Sequence, residues 1–274
     1  MYLGVDVGGT KTLVACLDDQ GIIQQQLKFP TPKIYAEFLS NLAKSIVNLP
    51  TKEFVAAGIA VPGKIDREHG TGIAFGNLPW ERVPIQTDVQ RMLGCPVVLE
   101  NDAKVAGLSE AMLLKERYRK VLYITIGTGI GTALIIDKRI DPDFDDMEGG
   151  HMPLEHNGKI QSWEDFASGR AIFRRFGKKA SEITDEKTWK LIAHDIAIGL
   201  IDLVAVVQPE VIVFGGGAVS NHFQRFGDLL RHELKKYETP LVPIPPLRRA
   251  ERPEQAVVYG CYDLAKELHG KFRS

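Results

Sequence analysis

One short pattern occurs twice in this chain. Residues 2–17, YLGVDVGGTKTLVACL, and residues 121–136, VLYITIGTGIGTALII, each run as an apolar stretch, a turn of Gly and Thr, and a second apolar stretch. Each reads as two strands joined by a tight turn that its glycines make possible. Charged turn residues close both copies, Asp18 and Asp19 in the first, Asp137, Lys138 and Arg139 in the second. We read the pair as a weak internal duplication, one copy per lobe.

Elsewhere the apolar residues change period. In residues 34–49, Phe38, Leu42, Ser45 and Leu49, with Leu39 and Ile46 beside them, recur at helical spacing and predict an amphipathic helix. Residues 54–61 read as a buried strand ending in the turn Pro62-Gly63, and a polar stretch then runs to Asn77 and Trp80. A short strand over 97–99 leads into Asn101-Asp102, followed by helix formers over 103–114. Helical patterning returns over 163–176 and 188–207. Pro209 closes the second of these, and a strand over 211–214 runs into Gly215, Gly216 and Gly217. A Pro-rich loop, 240–253, precedes a last helix over 256–268. Strands alternating with helices predict α/β layers. The expected lobes are a small one, residues 1–118 completed by the C-terminal helix 254–274, and a large one, residues 119–253.

Charge narrows the function classes. Lys and Arg number 34 against 35 Asp and Glu, with no basic arm, so no nucleic-acid partner is expected. Cys16, Cys95 and Cys261 are too far apart in sequence for a disulfide framework or a cysteine-rich zinc knuckle, which points to a reducing, cytoplasmic setting. No apolar stretch approaches the roughly 20 residues that span a bilayer, and no basic leader opens the chain, so neither a membrane nor a signal peptide is expected.

Three Gly-rich turns follow apolar strands: Gly8-Gly9-Thr10-Lys11, Gly127-Thr128-Gly129 and Gly215-Gly216-Gly217. Turns of this kind bring backbone N–H groups close to an anion, and phosphate is the natural guest. Two competing nucleotide motifs fail. GIAVPGK (58–64) matches a P-loop, but Ile65 stands where a hydroxyl would hold magnesium, and the GTGIG of 127–131 lacks the helix that a dinucleotide site needs. Asp6, between Val5 and Val7, is costly to bury unless paired or bound to a metal, so it is the candidate for organising Mg²⁺. Asp102, after a strand and before a helix, is the candidate general base, with capping of that helix as the alternative. Glu148 and His151, in EGGH, and Glu164, at the start of a helix, supply two carboxylates and an imidazole suited to a small polyol. The acidic run 141–146 lacks the calcium-loop glycine and reads as a solvated loop.

Eight segments in order then resemble one family: DVGGTKT (6–12), GIAVPGKID (58–66), NLPW (77–80), LENDAKVAGLSEA (99–111), TIGTGIGTALI (125–135), EGGH (148–151), EDFASG (164–169) and VFGGG (213–217). The chain resembles the ROK family of sugar kinases over nearly its full length. That resemblance implies a two-lobed, actin-like (ribonuclease-H-like) α/β ATPase fold with a cleft between the lobes. It also implies transfer of the ATP γ-phosphoryl group to a hexose hydroxyl, usually the 6-OH, by a glucokinase-like homodimer. By the same likeness Asp102 is the base; Asn101, Glu148, His151 and Glu164 hold the sugar, with Gly63 and Asn77 lining its pocket. The turns at Gly8, Gly9, Thr10 and Lys11 and at Gly127, Thr128 and Gly129 would hold phosphates, with Gly215, Gly216 and Gly217 near adenosine. Many members carry a cysteine-rich zinc site after the G-H pair. This chain instead reads HMPLEHNGKIQSWEDFASG (151–169), so no structural zinc is expected and packing around Trp163 is expected to fix that loop. The missing cysteines and short chain are similar to the polyphosphate-using glucokinases, which leaves ATP and polyphosphate both open as donor. A sugar sensor without catalysis is the alternative from another class. The helix-turn-helix repressors of the family are not expected, since the phosphate motif begins at residue 4.

Overall fold

A computed structural model describes residues 1–114, 118–252 and 254–271. The chain divides into two compact α/β units, Met1–Ser109 with Gln255–Ser274, and Glu110–Glu254. Residues 115–117, 253 and 272–274 of the expected lobes lie outside the described residues.

The first unit opens with β1 (Tyr2–Val7), β2 (Lys11–Leu17) and β3 (Ile23–Pro30), which pair antiparallel. Helix α1 (Tyr35–Val47) follows and buries Phe38, Leu42 and Ile46, one residue per turn on a single face. Strand β4 (Ala56–Val61) is wholly buried and runs parallel to β1. The polar stretch after it is more ordered than its composition predicts. It forms β5 (Lys64–Asp66), β6 (Thr71–Phe75) and β7 (Leu78–Val83), a separate antiparallel sheet whose strands are short, bulged and half exposed. Helix α2 (Ile85–Leu93), β8 (Val97–Asn101) and α3 (Asp102–Leu113) complete the run. The main sheet has order β3-β2-β1-β4-β8, with β1, β4 and β8 parallel. The C-terminal helix (Ala256–Lys271) packs on β1 and β4. It lies so close that a Cβ on Gly58 would collide with the Cys261 carbonyl.

The second unit repeats the motif. β9 (Lys120–Ile126) and β10 (Ile130–Ile136) form the antiparallel pair, extended by β11 (Arg139–Ile140). A 3₁₀ turn, Gly149–His151, leads to the hairpin β12 (Pro153–His156) and β13 (Lys159–Ser162). The helical pattern over 163–176 proves to be two helices, α4 (Trp163–Ala167) and α5 (Gly169–Phe176). The break is Ser168, whose Oγ accepts the Ala171 N–H at 3.2 Å as an N-cap. Helix α6 (Glu186–Val207) starts on an Asp185 cap and ends at Gln208, in a left-handed conformation ahead of Pro209. Then come β14 (Val211–Gly215), α7 (Phe223–Leu234) and, within the Pro-rich stretch, the edge strand β15 (Leu247–Arg249). Sheet order is β11-β10-β9-β14-β15, with β9, β14 and β15 parallel. Among the described residues no helix is long and apolar enough to cross a membrane.

Candidate active site

In each unit the candidate residues collect at the carboxyl ends of the parallel strands, where open α/β sheets bind ligands. In the first unit, Asp6 of β1 pairs across with Ala60 of β4, and Ala60 with Glu100 of β8. The chain therefore leaves these strands at three adjacent points: the Gly8-Gly9 turn, Gly63 and Asn101-Asp102.

The Gly8-Gly9 turn is closed by the Gly8 N–H on the Lys11 carbonyl at 3.0 Å. Thr31 braces it from outside, donating its hydroxyl to the Gly8 carbonyl at 2.7 Å and its N–H to the Thr10 carbonyl at 3.0 Å. Thr10 and Lys11 are exposed, and Asn77, also exposed, packs its side chain against Gly9. Lys33 holds Asn77 in place through its carbonyl, at 2.8 Å.

Asn101 does most of the local work. Its Oδ1 accepts the N–H groups of Ala103 (2.9 Å) and Lys104 (3.2 Å), so it caps α3, and its Nδ2 donates to the Gly63 carbonyl at 3.0 Å. Asp102 stands one residue further on, with Oδ1 reaching the Ala103 N–H at 2.7 Å. Behind the pair, buried Glu100 accepts two bonds from Arg67, Nε at 2.9 Å and Nη2 at 2.6 Å, and also takes the Asn101 N–H. This bidentate charge pair ties the β5–β6 loop to the strand end that carries Asn101.

Burial, and after it the negative charge of Asp102, pushes the Asp6 carboxyl up to about 7, with Lys28 pulling the other way. Two crowded carboxylates form an oxygen donor set suited to Mg²⁺, which binds through one or two carboxylates and keeps water or substrate oxygens in its remaining positions. A divalent cation there would relieve the repulsion that raises Asp6. Among the described residues no group of three or more His, Cys, Asp or Glu gathers as a metal site. Because burial and then the Asp102 charge raise it, Asp6 holds its proton more tightly in the folded chain than in the unfolded chain, and ionising it opposes folding. In EDTA-treated protein, stability is expected to fall as pH rises from the unfolded value of about 3.9 through about 7, and then to level off. Urea denaturation between pH 5 and 8 checks this. The wild-type slope should exceed that of Asp6→Asn, and equal slopes would mean that Asp6 ionises without cost.

In the second unit β9 ends in Gly127-Thr128-Gly129 and β14 in Gly215-Gly216-Gly217. The Gly169 N–H bonds the Gly127 carbonyl at 2.8 Å and the Ala218 N–H bonds the Ile126 carbonyl at 3.0 Å, which knits α5 and both turns together. Gly216 has φ +82°, and a Cβ there would strike the Ile126 backbone, so only glycine fits. These segments line a pocket of about 420 Å³. Phe173 offers an apolar face in it, and its two charged lining residues, Arg170 and Lys179, are both cations. No motif in the sequence pointed to Phe173, Arg170 or Lys179. They come from helical and loop positions whose side chains meet only in the fold.

Ile130, the first residue of β10, anchors the remaining candidates. Its N–H donates to Glu164 Oε2 at 3.2 Å, and its carbonyl lies where a Cβ on Gly150 would collide. The Gly149 N–H bonds Thr132 Oγ1 at 3.0 Å, seating the 3₁₀ turn between Glu148 and His151, both exposed, against β10. Arg170 Nη2 lies 3.5 Å from Glu164 Oε1. Trp163 is fully buried against Gly199 of α6, and its N–H bonds the Met152 carbonyl at 2.9 Å, closing the segment that follows His151.

Comparison with known proteins adds relatives over the whole chain. A glucokinase of Streptomyces coelicolor is 27% identical over 97% of this chain and 98% of its own. A ROK family glucokinase from Streptomyces griseus, solved in complex with glucose and AMPPNP, is 25% identical with a TM-score of 0.83, covering 97% of this chain and 99% of that one. An inorganic polyphosphate/ATP-glucomannokinase from Arthrobacter sp. strain KM is also 25% identical, with a TM-score of 0.75, covering 98% and 99%. The paired strand-turn-strand units, the ordered motifs that end their strands and a ROK family sequence model matching residues 2–268 agree: this chain belongs to the ROK family.

Proposed function

We infer that this chain is an ATP-dependent hexose kinase that transfers the γ-phosphoryl group to a sugar hydroxyl. The observation that carries the inference is likeness along nearly the whole chain to a glucokinase solved with glucose and an ATP analogue. The finer reading is an actin-like, ribonuclease-H-like fold, a cytoplasmic homodimer, and glucose or a close relative phosphorylated at its 6-OH.

On the first unit, Asp102 is the general base. The hydroxyl oxygen attacks the γ-phosphorus, the bond to the β–γ bridging oxygen breaks, ADP leaves, and the hydroxyl proton passes to the Asp102 carboxylate. Capping of α3 falls to Asn101, which supports this role for Asp102. Asn101, Gly63 and Asn77 serve the sugar, and Gly8, Gly9, Thr10 and Lys11 serve the phosphates. Asp6 would hold Mg²⁺, which when bound neutralises phosphate oxygens. On the second unit, Glu148, His151 and Glu164 serve the sugar. Gly127, Thr128 and Gly129 face phosphate, and Gly215, Gly216 and Gly217 back the adenosine pocket.

A second donor, inorganic polyphosphate, is favoured by the cations Arg170 and Lys179 in that pocket and by the likeness to the glucomannokinase. Phe173 in the same pocket favours a nucleoside. A coupled assay across glucose, mannose, fructose and N-acetylhexosamines, run with ATP and then with polyphosphate, separates these readings. ATP-dependent turnover of at least one hexose is expected. Sugar binding without product would make the chain a sensor.

A further inference from the structure

The hairpin between His151 and Glu164 has no sheet to lean on. Among the described residues strands β12 and β13 pair only with each other, and a two-stranded ribbon is marginal in water by itself. Its attachment therefore acts beside the β10 anchors in deciding where the residues at its two ends stand, and that attachment converges on one residue of α6. Asp195, 4% exposed, accepts through Oδ1 from His156 Nε2 at 3.2 Å and through Oδ2 from Arg175 of α5. Its main-chain carbonyl takes the Trp163 indole N–H at 3.3 Å. The His156 ring lies flat on Phe166 of α4, with centroids 4.2 Å apart and planes 6° from parallel. The Gln161 amide nitrogen, on β13, sits 3.1 Å from His156 Nδ1. The Asn157 amide nitrogen lies 3.2 Å from the same ring nitrogen, and since a carboxylate can only accept, Nε2 is the ring atom that donates to Asp195.

We propose that His156, Asp195 and Arg175 are positioning residues that lock the β12–β13 hairpin and so hold His151 and Glu164 in place for the hexose. The proposal rests on the hexose-kinase reading. A buried carboxylate is costly unless paired and hydrogen-bonded, so Asp195 holds its partners to one arrangement. Desolvation pushes its carboxyl up, and Arg175 and then His156 pull it back. Supports of this kind act on ligand geometry, where a misplacement of about 1 Å costs up to about 100-fold.

Two variants of His156 separate the hydrogen bond from the packing. His156→Phe keeps a ring on Phe166 but loses the N–H to Asp195, whereas His156→Gln restores an N–H near the position of Nε2. With the full-length protein, the hexose KM of His156→Phe is expected to rise about 10-fold and that of His156→Gln less than about 3-fold, with the ATP KM of both within about 2-fold of wild type. A hexose KM unchanged in His156→Phe, a parallel rise in both KM values, or no recovery in His156→Gln would overturn the proposal. If His156→Phe does not fold, Arg175→Met, which removes the other side-chain donor to Asp195, takes its place, a hexose-selective rise in KM supporting the proposal and an unchanged hexose KM overturning it. Absence of hexose turnover in the wild type would instead remove the underlying reading, and the proposal with it.

Discussion

Replacing Asp102 by Asn is expected to lower kcat by about 10²- to 10⁴-fold, the usual cost of losing a positioned base, while hexose binding changes little. Asn has nearly the same shape and can still accept the Ala103 N–H that Asp102 Oδ1 reaches. What it cannot do at neutral pH is take the proton of the attacking hydroxyl. Asn101 still caps α3, so the helix start should survive and thermal stability should stay close to wild type. Steady-state kinetics beside calorimetric titration of the sugar measure both halves. Unchanged turnover would remove Asp102 from the chemistry, and lost sugar binding would reassign it to recognition.

Gly63→Ala is expected to destabilise the protein by about 3 kcal/mol and to raise the hexose KM. Two penalties add there. Gly63 has φ +105°, a backbone region that side chains avoid, and a Cβ would run into the Ala74 carbonyl on β6. The loop has to move, and with it goes the carbonyl that holds Asn101 Nδ2 at 3.0 Å. Gly94→Ala is the control. Gly94 also has positive φ, +68°, but nothing lies within 4 Å of its Cβ position, so only about 1 kcal/mol is expected. Urea denaturation of the two variants tests the difference, and equal losses would show that the Ala74 contact does not matter.

The parts of this protein legible in its sequence are those set by local chemistry. Apolar runs around Gly8-Gly9 and Gly127-Gly129 could only be paired strands, and they are. The spacing of Phe38, Leu42, Ser45 and Leu49, with Ile46 beside them, predicted α1, and the face it buries is Phe38, Leu42 and Ile46, with the helix ending at Val47 before Leu49. The three-stranded sheet over 64–83 was not legible. Its strands are short and bulged, and only part of each is buried, so no clean alternation survives. Ser168 looked like a residue inside one helix and is the cap between two, because a hydroxyl suits either place until the Gly169 N–H is committed to the Gly127 carbonyl.

The chain order by itself determined the repeated strand-turn-strand units, the glycine turns that end their strands, and the family to which they belong, since motif spacing is a property of the chain. Tertiary structure alone decided that Asn101 takes the N–H groups of both Ala103 and Lys104 at the start of α3, that Glu164 is bonded to Ile130, that Phe173, Arg170 and Lys179 line one pocket, and that Asp195 gathers His156 and Arg175. The cap is local, but the other facts depend on which segments meet across 20 or more residues of sequence, as Gly127 and Gly217 meet Arg170 in the pocket, and burial and hydrogen-bond satisfaction, not local preference, choose such partners.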